Sequence, residues 1–193
     1  MIKHIKQHVI NTLLNDDIID EDKFEIYAYG LDLLISTVIS TAFLISIGIL
    51  LRKTFECILL IILFYTSQSI GGGYHAKTRK KCMICMILGL CISIIYVDMK
   101  LNDIVLMIFG ISSLSTLWNI PIVLNKNKLY LMTNINTLID KSRKYTCILT
   151  MLFLNFYIRN CYVMVNTFSA ALLICACSRL AAIVSKRSIW FNF

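Results

Sequence analysis

Between residues 71 and 82 the chain reads Gly-Gly-Gly-Tyr-His-Ala-Lys-Thr-Arg-Lys-Lys-Cys, the one break between apolar runs where a nucleophile, a base, backbone freedom and positive charge coincide. The three glycines are expected to end a helix and to let the backbone take positive φ or approach a ligand closely. Cys82 opens the next apolar run, which predicts a sulfur at a helix N-terminus, where the dipole and neighbouring cations favour thiolate over thiol. His75 is the candidate base. Seven residues separate the two, about 10 Å along an unbroken helix, which is too far for proton transfer. A working pair therefore needs the chain to bend, bringing His75 to within about 3 Å of the sulfur. The alternative, an interfacial histidine beside a packing cysteine, stays open on spacing alone. Cys82 and Cys85 also form a C-x-x-C, which fits a redox pair or, with His75, part of a zinc site. The neighbouring loops offer neither a second cysteine pair nor a fourth ligand. Cys85 is more simply a small apolar residue one turn deeper in the helix.

The elements that must hold this stretch are membrane helices. Of the 193 residues, 58% are apolar and 16% charged, with one proline and a mean hydropathy of +0.75. That composition excludes an ordinary soluble domain, and the length leaves no room for a second folded unit. The first apolar run starts near Leu31 without a small-residue cleavage site, so it is read as a retained helix rather than a signal peptide. The net charge of +8 is better explained by topology than by nucleic acid, which is not expected as a partner. The other cysteines, Cys57, Cys91, Cys147, Cys161, Cys175 and Cys177, lie in or beside apolar runs, unlike a disulfide scaffold.

Residues 2–14 place Ile2, Ile5, Val9 and Leu13 at helical spacing, a pattern for a helix lying on the membrane. His4 and His8 within it lack a third metal ligand and read as a polar face, and no metal is expected. The acidic cluster Asp16, Asp17, Asp20, Glu21 and Asp22 reads as a solvated, helix-capping linker. The expected fold is an all-α polytopic membrane bundle: a single domain over 1–193, with 1–30 as interfacial helix and acidic linker, and 31–184 as the transmembrane bundle carrying loop 71–82. Spans are expected at Leu31 to Leu51, Phe55 to Ile70, Cys82 to Val97, Ile104 to Ile120 and Tyr162 to Val184. Tyr145 to Ile158 makes a sixth. A crossing takes about 20 residues, so 55–70 and 145–158 are short unless flanking residues extend them, and four or five crossings stay open beside six.

With six spans, the N-terminus, loop 71–81, loop 121–144 and the C-terminus share one side, carrying 3, 4, 5 and 2 basic residues. The other side has only Arg52, Lys53, Lys100 and Arg159. This asymmetry predicts a multi-pass cell-membrane protein with both termini and the reactive stretch in the cytoplasm. Arg179 falls inside the last span, where it either reaches the inner headgroups or faces the bundle interior.

The run Gly72-Gly73-Tyr74-His75-Ala76, followed six residues later by Cys82, resembles the accessory gene regulator protein B family (AgrB) of Gram-positive bacteria. The similar length, the amphipathic start, the step Tyr29-Gly30-Leu31, Pro121 after the fourth span and the basic segment behind it extend the resemblance over most of the chain. Such proteins are membrane cysteine endopeptidases that cut a short precursor near its C-terminus and help cyclise it into a quorum-sensing signal. The resemblance implies that His75 and Cys82 are the catalytic pair and that no cofactor is needed. Many members carry an arginine seven residues before the histidine. Here that position is Gln68, which donates hydrogen bonds but supplies no cation.

On that reading the oxyanion meets backbone N–H groups near Gly73 and the start of the third span, with Gln68 as a side-chain candidate. Asp32 is the nearest candidate to orient His75. The expected partners are the lipid bilayer and a precursor with an amphipathic leader and an acidic tail, the tail meeting Lys77, Arg79, Lys80, Lys81, Lys126 and Lys128. A homodimer is left open. Two rivals come from other classes. A thiol oxidoreductase would need Cys85 as much as Cys82, and a small transporter would need paired charges near the bilayer midplane, where only Asp32, Glu56 and Arg179 are on offer.

Overall fold

The computed structural model describes residues 24–74, 79–99, 101–125, 135–185 and 188–191. Among them are six α-helices: α1 (Phe24–Leu50), α2 (Thr54–Gly71), α3 (Arg79–Asp98), α4 (Asp103–Asn119), α5 (Ile135–Ile158) and α6 (Tyr162–Val184). Two short strands, β1 (Ile122–Asn125) and β2 (Ser188–Phe191), complete the elements. The interfacial helix expected over 2–14 lies outside the described residues.

The chain divides into two compact units, Met1–Phe43 and Leu44–Phe193, with the boundary inside α1. In the first, α1 exposes Leu34, Val38, Ile39 and Phe43. The Ser40 hydroxyl donates back to the carbonyls of Ser36 and Thr37 (2.8 and 3.1 Å), so this polar residue costs the helix no unpaired group. The helix runs unbroken through Gly30, so the first helix begins seven residues before the expected start at Leu31.

In the second unit the helices alternate in direction. Gly48 of α1 lies against Cys57 of α2 across a tight turn. Tyr96 of α3 meets Ser169 of α6 (3.0 Å) while Gly89 meets Ile174, an antiparallel register. Gly110 of α4 lies against Phe153 of α5, and Ser142 donates to the Pro121 carbonyl (2.5 Å), again antiparallel. Between α2 and α6 the order Ser67 to Cys175, Gln68 to Ser178 and Gly71 to Arg179 is parallel. Helix α6 is the centre: 56% of its span is buried, against 33% for α2 and 22% for α3. Its inner residues are small, with Ser169, Ala170, Ala171 and Ala176 letting neighbouring backbones close in, which is how helices associate where lipid removes the usual hydrophobic drive.

The outside is apolar. Leu88, Ile92 and Ile95 on α3, Ile104, Ile108 and Ile111 on α4, and Met151 and Leu154 on α5 are exposed, as a lipid solvent requires. Helices α2 (Thr54–Gly71), α3 over Lys81–Asp98 and α6 (Tyr162–Val184) are long and apolar enough to cross a membrane. The chain is an all-α membrane bundle.

Two elements depart from the sequence expectation. Helix α5 starts at Ile135, ten residues before the expected span, because Ser142 and Arg143 find partners on the α4 side: the Pro121 carbonyl takes the hydroxyl, and the guanidinium stacks 5.7 Å from the Trp118 ring centroid. Strand β1 pairs with β2 in antiparallel register, Ile122 opposite Phe191 and Asn125 opposite Ser188. Four-residue runs carry too little period to be read from sequence.

At one end of the bundle the connections are short and tied. Lys53 forms an ion pair with Asp98, and the Asn102 side chain caps α4 by accepting from the Ile104 N–H (3.3 Å). The other end holds the reactive stretch.

Candidate active site

Helix α2 ends where the three glycines begin. Gly72 is its cap, with φ 70° and ψ −167°, and its N–H donates to the Gln68 carbonyl (3.0 Å). That backbone region is open to glycine almost alone. Gly72 also bridges to Val123 of β1 in parallel fashion, so the turn is sewn onto the small sheet. A Cβ on Gly71 would strike the Arg179 guanidinium and the Pro121 carbonyl. One on Gly73 would strike the Gln68 amide and the Ser178 hydroxyl. The glycines are thus where three neighbouring elements touch backbone.

Ser178 is the anchor of the turn. Its Oγ accepts from the Gln68 Nε2 (2.7 Å) and from the Tyr74 backbone N–H (3.1 Å). Tyr74 precedes His75, which lies outside the described residues together with Lys77, Lys126 and Lys128. Arg79 and Lys80 are described in backbone only, as the first residues of α3, and Lys81 is exposed. Asp32 is likewise described only as part of α1.

Cys82 is the fourth residue of α3 and is half-buried, one helical turn before the exposed Cys85. The α3 to α6 register fixes its depth. From Gly89, opposite Ile174, seven residues of α3 reach Cys82, about 10.5 Å, and the same distance along α6 runs to Ala181. Cys82 therefore stands near the level of Ala181, about one helical turn along α6 beyond Ser178 and Arg179. All eight cysteines are free thiols.

Arg179 faces the bundle interior and is 1% exposed, which decides between the two positions the sequence left open. Its Nη1 donates to the carbonyls of Leu117 (3.1 Å), Ile120 (2.6 Å) and Pro121 (2.9 Å), groups that the end of α4 leaves without helical partners. A cation there also complements the negative end of the α4 dipole.

The profile of the accessory gene regulator B family, AgrB, matches residues 6–183. The chain belongs to the AgrB family. It is accordingly a quorum-sensing accessory gene regulator membrane protein, and the AgrB match spans every helix described above except the last residue of α6. No curated protein and no solved structure matches the chain.

The sequence reading of this AgrB chain singled out Gln68 and Gly73, which the structure brings together, but missed the residue that joins them. Ser178 gives no signal in sequence, being one of several serines in apolar helices. Arg179 does give one: a guanidinium within an apolar run is costly unless it serves a site.

Proposed function

We propose that this AgrB-family protein is a membrane cysteine endopeptidase that cuts a short signal precursor and promotes its cyclisation. The observation that carries the reading is the position of Cys82, on the first turn of α3 and about one helical turn, measured along the bundle, from the Ser178 anchor that holds the residue before His75. A nucleophile and a base at the two ends of one tethered loop is the arrangement that acyl transfer requires.

In the proposed reaction His75 takes the proton from the Cys82 Sγ and the thiolate adds to a backbone carbonyl of the precursor. The C–N bond then breaks, His75 returns the proton to the leaving amine, and the C-terminal fragment departs. The acyl group remains as a thioester on Cys82. A thiol or hydroxyl within the peptide displaces it, releasing the Cys82 thiolate and closing a thiolactone or lactone. Cyclisation wins over hydrolysis where water is scarce and the internal nucleophile is held close, as at the headgroup level of a helical bundle. The test is direct: purified protein in lipid vesicles, given a synthetic precursor with an amphipathic leader and an acidic tail, should yield two fragments by mass spectrometry. Intact precursor would refute the reading.

The reading also needs the site in the cytoplasm, where the precursor is made. A Lys80→Cys variant in intact cells should resist a membrane-impermeant maleimide and react after permeabilisation. Labelling from outside alone would overturn the orientation.

The tail of the precursor is proposed to meet the cations Lys77, Arg79, Lys80, Lys81, Lys126 and Lys128. Replacing Lys126 and Lys128 with glutamine should raise KM and flatten its salt dependence, with kcat unchanged. An unaltered KM would leave those lysines a topological role only.

A further inference from the structure

Arg179 holds more donors than its structural task uses. Capping α4 occupies Nη1 alone, whereas Nε and Nη2 are buried and donate to nothing among the described residues. A buried guanidinium with two unused N–H directions is expensive, and no carboxylate among the described residues neutralises it. Capping by itself would need only a point charge such as lysine, whose ammonium has three donors. The side chain also abuts Gly71, which has no Cβ to occupy that space. It stands within about one helical turn of the level of Cys82 and one residue from the Ser178 that anchors Tyr74.

We propose that the Nε and Nη2 edge of Arg179 binds an anionic oxygen of the peptide at the Gly71 to Gly73 turn. An N–H pair on one guanidinium edge matches the spacing of a carboxylate or oxyanion, and its strength grows where water is absent. Burial of the side chain favours a small oxygen anion within the site over a solvated acidic tail. The proposal rests on the peptidase reading for the identity of the peptide, and two sources of the oxygen fit it. The oxyanion formed when Cys82 adds to the carbonyl exists only in the transition state and its neighbours. A carboxylate of the precursor is present from binding onward.

One arm of the test needs no precursor. The rates at which iodoacetate and iodoacetamide alkylate Cys82 are compared by peptide mapping in the wild type and in Arg179→Gln. The same thiolate displaces iodide from the CH2 carbon of either reagent, but only iodoacetate carries the carboxylate. The iodoacetate to iodoacetamide ratio should fall by about fivefold or more in the variant. An unchanged ratio overturns the proposal. The second arm uses Arg179→Lys, which keeps the charge and the α4 cap but loses the fork, so its melting temperature should match the wild type. Precursor turnover should fall by about 10-fold or more, and turnover equal to the wild type would count against the fork. A loss in kcat assigns the oxygen to the oxyanion, and a rise in KM assigns it to a substrate carboxylate. If the wild type cleaves nothing, the peptidase reading fails while the alkylation ratio still decides on the anion site.

Discussion

On the proposed mechanism Cys82→Ala should abolish precursor cleavage and leave no acyl adduct, whereas Cys85→Ala should retain most of the activity. The asymmetry follows from position, since Cys82 is on the first turn of α3 and half-buried, while Cys85 is a turn deeper and exposed. Losing a nucleophile removes the covalent route entirely, an effect on the order of 10³-fold or more in kcat. His75→Ala is expected to be nearly as severe. A free thiol with a pKa of about 8.5 is only a few per cent thiolate at neutral pH, and the leaving amine would have no acid to protonate it. The decisive measurement is intact-protein mass spectrometry after mixing with precursor. A hydroxylamine-sensitive mass addition mapped to Cys82 is the expected result, and cleavage that survives Cys82→Ala, or is lost equally in Cys85→Ala, would transfer the chemistry to a redox or metal mechanism.

Gly72→Ala should collapse the site from the backbone side. At φ 70° and ψ −167° a side chain is strained by about 1–3 kcal/mol before it touches anything. The new Cβ would also drive into the Val123 carbonyl, so the bridge to β1 must open. We expect a loss of about 2–4 kcal/mol in stability, read as a lowered melting temperature in detergent, together with at least a 100-fold fall in cleavage. Normal melting and normal cleavage would mean that the turn is not what positions the residues after it.

The sequence carried the helices well because membrane spans announce themselves by composition. Phe55 to Ile70 and Tyr162 to Val184 differ from the observed α2 and α6 by a residue or less at each end. Helix α5 was under-read, since its first ten residues are held by Pro121 and Trp118 rather than by apolar length. The glycine turn was legible from three consecutive glycines. What it rests on was not, because Gln68, Gly73 and Ser178 meet across 110 positions of chain and no local pattern encodes that. Arg179 was visible as an anomaly, but its inward direction depends on the carbonyls that α4 leaves open.

The pairing of β1 with β2 gives the protein a definite order of assembly. The turn that leads to His75 is bridged to β1, β1 is held by a strand from residues 188–191, and Ser178 and Arg179 arrive on the same late segment. In chain order α2 and α3, with Cys82, are synthesised before the partners that fix the turn. The nascent chain therefore carries its thiol without a formed site. The contacts that hold the turn, to Ser178, to Arg179 and through β1 to β2, all depend on residues 178–191, so a chain cut short before them would lack the supports of the turn.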